Sequence, residues 1–136
     1  MIRDTSLCFL GYSFVNGTGD EESLGWAGRA CAAAHSRGAP IICYTPGVRR
    51  NISKDIMQRW EVECFIRLPE ACDGRSVLSC GVNDTVIENG KLRVPFDKPC
   101  KNVYEFLHGD SKCRLLMMGP PSFYDNEKNQ RIEALE

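Results

Sequence analysis

The sequence predicts an α/β domain built on a parallel sheet, and three observations carry that prediction. Four short apolar runs recur along the chain, SLCFLG at residues 6–11, APIICY at 39–44, RSVLSCG at 75–81 and CRLLMMG at 113–119. Each is short and rich in β-branched, aromatic or large aliphatic residues, as a largely buried strand requires. Segments of helical character lie between the runs, and this β-α-β-α alternation calls for parallel strands joined by right-handed helical crossovers. Finally, 136 residues of which 43% are hydrophobic suit one domain, residues 1–136, with a sizeable core. No linker, internal repeat or low-complexity segment divides the chain.

Taken in order, the first run ends at Gly11-Tyr12-Ser13 and dissolves into Asn, Gly and Thr, which reads as a strand delivering a small hydroxyl residue to the sheet edge. The alanine-rich SLGWAGRACAAAHSRG, residues 23–38, closes on glycine and predicts the first helix. NISKDIMQRWEVECFIRL, residues 51–68, predicts the second, with Asn51 as cap candidate and Ile56, Trp60, Cys64 and Ile66 as apolar positions. A weaker candidate is DKPCKNVYEFLHG at 97–109, with Val103, Phe106 and Leu107 in a narrow stripe, and a fourth, NEKNQRIEALE, begins at residue 126. The segments GVNDTVIENGK and MGPPSFYDN read as irregular turns directly after strands. Four strands make a small sheet, so the chain is expected to be either a minimal fold or a piece of a longer one. An unpaired sheet edge also predicts self-association into a homo-oligomer.

Composition narrows the function classes. Lys and Arg total 17 against 18 Asp and Glu, for a net charge of -1, so there is no electrostatic footprint for nucleic acid or an anionic membrane. The N-terminus MIRDTSLCFLGYS lacks the pattern of a signal peptide, and no run approaches the ~18 apolar residues of a membrane span. Eight cysteines never form a C-x-x-C pair, and most lie in apolar segments where cysteine acts as a small hydrophobe. Reduced thiols and a cytoplasmic location are therefore expected. Two scattered histidines offer no zinc half-site.

Function is expected where the strands end, because the carboxyl ends of parallel strands share one rim. The four runs deliver Gly11-Tyr12-Ser13, Tyr44-Thr45-Pro46-Gly47, Gly81-Val82-Asn83-Asp84 and Gly119-Pro120-Pro121. A serine hydroxyl, an approachable glycine N–H and an asparagine amide together make a nucleophile with an oxyanion hole, the equipment for acyl transfer. Alone, Ser13 reads as a turn serine and Asn83-Asp84 as a turn or cap pair; their joint placement at three strand ends favours the chemical reading.

GYSFVNGTGD, YTPGVRRN and GVNDTV resemble, in order and spacing, the successive blocks of the GDSL or SGNH hydrolases. The resemblance implies Ser13 as nucleophile, with the Ser13 N–H, the Gly47 N–H and the Asn83 side chain forming the oxyanion hole. It also implies a three-layer α/β/α sandwich of flavodoxin-like type, a small-molecule acyl ester as substrate, and no metal or organic cofactor. Two departures stand out. Tyr12 occupies the place of the aspartate in Gly-Asp-Ser, and the D-x-x-H block that supplies the general base and its orienting acid does not occur. The resemblance thus implies a serine esterase lacking its C-terminal part, or a non-catalytic relative that binds a small ligand without turnover.

Other residues have plainer readings. His35 ends a helix, where a histidine is a favourable dipole contact. His108 with Glu105 mimics the missing spacing, but on the helix before the fourth strand. Arg49 and Arg50 read as solvated surface, and Trp26 and Trp60 as helix–sheet packing. The NGTG turn lacks the G-x-G-x-x-G and G-K-[ST] phosphate patterns.

Overall fold

The computed structural model describes residues 4–109, 111–121, 127, 130 and 131. Among these residues the parallel sheet has four strands, β1 (Thr5–Leu10), β2 (Ile42–Tyr44), β3 (Asp73–Ser79) and, after a hairpin, β6 (Arg114–Met118). They lie in the order β2-β1-β3-β6, and every pairing is parallel. The connections are α1 (Ser13–Asn16) and α2 (Gly25–Ser36) between β1 and β2, α3 (Ser53–Arg67) between β2 and β3, and α4 (Asp97–His108) before β6. All four predicted strands and the first three predicted helices are present. The fourth helix candidate lies largely outside the described residues. Residues 127, 130 and 131 of it are helical, and Arg131 Nε donates to Thr85 O at 2.9 Å.

Strand alternation sorts the core into two layers. Cys8 and Leu10 of β1 and Leu78 of β3 face α3 and α4, where they pack with Ile56, Trp60, Cys64 and Phe106. Phe9 and Val77 face the other way, against Val15, Ala27 and Cys31. The tryptophans pack as expected: Trp60 meets Phe106 edge-on at 4.9 Å, and Trp26 meets Phe9 edge-on at 5.5 Å. A sheet with α2 on one face and α3 and α4 on the other is the three-layer arrangement implied by the family resemblance.

Several local expectations fail for physical reasons. Asn51 does not cap α3. The N-cap position belongs to Ile52, whose side chain has no acceptor, and the capping oxygens come from elsewhere, as described below. The segment read as the turn GVNDTVIENGK contains an antiparallel hairpin, β4 (Ile87–Glu88) and β5 (Lys91–Leu92). Asn89 and Gly90 form its turn, both at positive φ (51° and 74°), the conformation that makes Asn-Gly a strong hairpin signal.

The reduced-thiol expectation also fails at one pair, because Cys31 of α2 and Cys43 of β2 form a disulfide with Cα atoms 6.6 Å apart. Docking α2 beside the edge strand brings the two together, a proximity that residue spacing does not reveal. Disulfides persist in oxidising compartments, so the thiol argument for a cytoplasmic location is lost. The other six cysteines are not in disulfides. Among the described residues, no helix is long and apolar enough to cross a membrane.

Candidate active site

The rim of the sheet is assembled from strand ends. Beyond β1 and β2 the parallel register continues to a bridge between Gly11 and Gly47, and Val48 N–H donates to Gly11 O at 3.1 Å. At Tyr12 the chain is still extended (φ -110°, ψ -156°), and it then turns directly into α1, whose first residue is Ser13. The helix forms as Val15 and Asn16 N–H both donate to Tyr12 O. Ser13 is half-buried at this strand-to-helix turn.

Gly47 is pressed against the same turn. A Cβ at this position would stand 2.4 Å from both Asn16 N and Tyr12 O, closer than any side chain tolerates and against backbone that cannot yield. Only glycine permits this approach of strand end two to the serine turn. The Gly47 N–H donates to Thr45 O at 2.7 Å, a bond across three residues and therefore poorly aligned. Asn83 is half-buried and donates Nδ2 to Asn51 O at 2.8 Å, leaving the second amide hydrogen of that nitrogen for another acceptor. Thus Gly47 packs on the serine turn directly, whereas Asn83 is tied to the 46–51 segment through Asn51.

Tyr12, which stands where the resembled motif has aspartate, turns its ring inward. It is almost fully buried and packs 5.4 Å from the Phe14 ring. Burial pushes its ionisation well above that of a free phenol, and the nearby Ser79 hydroxyl opposes this only in part. Among the described residues, the Tyr12 hydroxyl has no hydrogen-bond partner of good geometry.

Asp84, next to Asn83, is buried and caps α3 from a distance. Its carboxylate accepts from Ser53 N–H at 3.0 and 3.1 Å and from Ser53 Oγ at 2.6 Å, while Asn102 Nδ2 donates to Ser53 Oγ at 2.8 Å. Asp55 accepts from Ile52 N–H at 3.0 Å, so two aspartates supply what Ile52 cannot. Burial raises the Asp84 pKa, against the opposing pull of the Ser53 bonds.

Sequence reasoning missed Arg59. Its guanidinium donates from Nη2 to Gly11 O at 2.8 Å, from Nη1 to Pro46 O at 2.8 Å and from Nε to Asn51 Oδ1 at 3.0 Å. Glu63 lies 3.3 Å from Nη1 and also pairs with Arg67. The signal for it is weak: one of two arginines on a long helix, with nothing in the neighbouring residues to mark it.

Among the described residues, no histidine or carboxylate is hydrogen-bonded to the Ser13 hydroxyl. His35 Nε2 lies 2.8 Å from Ile41 O. His108 Nδ1 lies 2.9 Å from Tyr104 O, within its own helix, and its ring stacks on Tyr104. Arg50 is exposed and pairs with Glu88 at 3.5 Å, in keeping with a surface role. Among the described residues, no group of three His, Cys, Asp or Glu side chains is placed to hold a metal ion. A cleft of about 500 Å³, lined by Cys80, Gly81, Val103, Tyr104, Met117 and Pro120 among others, opens where β3 and β6 end. A larger one of about 1090 Å³, which includes Gly74, Ser111 and Cys113, lies toward the strands' amino ends and touches none of the candidate residues.

No protein-family model matches the chain, and no curated protein matches it in sequence. Solved structures do match it in fold. A lipase/acylhydrolase from Enterococcus faecalis superposes with a TM-score of 0.75 at 19% identity, covering 96% of this chain and 67% of the other. A mutant of Axe2, an acetylxylan esterase from Geobacillus stearothermophilus, gives 0.74 at 14% identity, with 98% and 69% covered. AlinE4, an SGNH-hydrolase family esterase, gives 0.71 at 18% identity, with 99% and 70% covered. The α/β sandwich expected from the three sequence blocks is therefore the fold observed, and this chain spans about two thirds of the length of these enzymes.

Proposed function

We propose that this chain is a serine hydrolase of the SGNH type, acting on carboxylic esters through Ser13. In this reading Ser13 Oγ attacks the ester carbonyl carbon, and the carbonyl π electrons move onto oxygen. The oxyanion accepts hydrogen bonds from the Ser13 N–H, the Gly47 N–H and Asn83 Nδ2. The proton of the Ser13 hydroxyl passes to solvent water. Collapse of this intermediate expels the alkoxide, which takes a proton back from water to leave as the alcohol, and water then cleaves the acyl-serine to the acid. The Gly47 N–H exchanges its strained bond to Thr45 O for the oxyanion, and the free Asn83 amide hydrogen needs no such exchange.

The observation that carries the reading is the close packing of Gly47 on the Tyr12–Asn16 turn, the turn that begins α1 with Ser13 at the end of a parallel strand. The shared fold with esterases supports it. The weak link is the proton on Ser13, for which the described residues offer no acceptor. Loss of the base in a serine triad lowers turnover by about a million-fold, so steady-state ester hydrolysis by this chain alone is expected to be slow.

A second reading has its own observation. The same lack of a base at Ser13 suits a domain that binds a small ligand without turnover. Intact mass after exposure to a fluorophosphonate separates the two, with Ser13→Ala as control. One phosphonyl adduct, lost in the variant, supports the esterase. A chain that remains unmodified at millimolar reagent sinks it in favour of the binding module.

A further inference from the structure

Arg59 sits at the centre of the candidate site without reaching the reacting atoms. Its side chain is 19% exposed, and its planar fork engages three acceptors from two segments: Gly11, two residues before Ser13; and, in the 46–51 segment, Pro46, directly before Gly47, and Asn51, whose own backbone oxygen receives the Asn83 amide. We infer that Arg59 is the positioning residue of the oxyanion hole, orienting the Pro46–Gly47 peptide directly and the Asn83 amide through Asn51. The inference rests on the hydrolase reading for its functional meaning, though not for its geometry.

The physical case begins with the peptide. In a trans peptide the Pro46 C=O and the Gly47 N–H point in opposite directions. A cation bonded to the oxygen at 2.8 Å therefore fixes the plane and aims the N–H away from itself. A charge-assisted bond also draws electron density from the amide, which strengthens the N–H as a donor to an anion on the far side. The bond to Gly11 O does the same for the entry to the serine turn. The bond to Asn51 Oδ1 holds the residue that fixes the rotation of Asn83. A lysine offers one compact charge and no fork, so it meets one of these demands at a time. Glu63, 3.3 Å from Nη1, balances the charge.

A residue that merely stabilises the fold would, when changed, loosen the molecule uniformly; a positioning residue changes the donors it aims. The test compares amide NMR spectra of the nitrogen-labelled chain with those of Arg59→Lys and Arg59→Met. The expected result is displaced Gly47 N–H and Asn83 side-chain amide signals, with Gly47 exchanging with solvent about tenfold faster or more, while the amides of Cys8 and Leu78 stay in place. Unmoved Gly47 and Asn83 signals in a folded variant overturn the inference. If neither variant folds, the wild-type Arg59 Nε–H decides: a slowly exchanging signal supports the inference, and one lost to rapid exchange with water overturns it.

The rate of fluorophosphonate labelling at Ser13 supplies the functional arm. Misplaced oxyanion donors predict a drop of about 10- to 100-fold in Arg59→Met, partly restored in Arg59→Lys. Equal labelling rates in all three proteins overturn the inference. If the wild-type chain is not labelled at all, the hydrolase reading falls, and the amide spectra alone judge whether Arg59 orients these groups.

Discussion

Replacing Asp84 by alanine tests the long-range cap that joins the Asn83-Asp84 segment to α3. In the native state the carboxylate receives three hydrogen bonds from Ser53, a residue with no exposed surface. Removing it strands the Ser53 N–H away from water and leaves the hydroxyl proton without its acceptor. A buried donor left unmade costs about 1–3 kcal/mol, and loss of a cap costs about 1 kcal/mol, so the chain should lose about 2–4 kcal/mol of stability. Asp84→Asn retains an acceptor oxygen of the same shape and should cost much less. The difference has a pH signature. Burial raises the native pKa of Asp84 above the ~3.9 of an unfolded aspartate, so the native state binds this proton more tightly. Wild-type stability relative to Asp84→Asn should therefore rise as the pH falls from neutral through the native pKa, levelling off below about 3.9. Urea unfolding followed by circular dichroism between neutral pH and pH ~4 measures both quantities. A loss under about 1 kcal/mol in Asp84→Ala would refute the cap, and a pH-independent gap between wild type and Asp84→Asn would refute the burial-raised pKa of this carboxylate.

Two further outcomes follow from the packing. Reducing the Cys31–Cys43 disulfide, or changing both residues to serine, reopens a loop with a sequence separation of 12; chain entropy puts the loss at about 3 kcal/mol, and equal unfolding midpoints with and without reductant would argue against the bond. Tyr12→Phe deletes a buried hydroxyl that lacks a partner among the described residues, so the variant should be as stable as the parent or up to about 1 kcal/mol more stable by thermal unfolding; a clear loss would mean that the hydroxyl has a bond to Ser79 or to water.

Much of the architecture was legible because its causes are local. Apolar runs such as SLCFLG and RSVLSCG are strands for reasons contained within a few residues. Their alternation with helices then forces the carboxyl ends of a parallel sheet onto one rim. Ser13, Gly47 and Asn83 were for that reason identifiable as candidates before any coordinates. Local signals were also misread: Asn89-Gly90 marks a hairpin, and Ile52 rather than Asn51 precedes α3.

The sequence by itself therefore determined the layer order of the chain and which residues stand at the strand ends. Tertiary structure alone decided how those ends are joined. Arg59 reaches Gly11 across 48 positions, Asp84 caps Ser53 across 31, and Cys31 meets Cys43 only because α2 docks beside β2. Hydrophobic periodicity records which face of an element is buried, but a hydrogen bond between two distant polar groups leaves no period in the chain. It comes into being only when packing brings a donor and an acceptor within about 3 Å of each other.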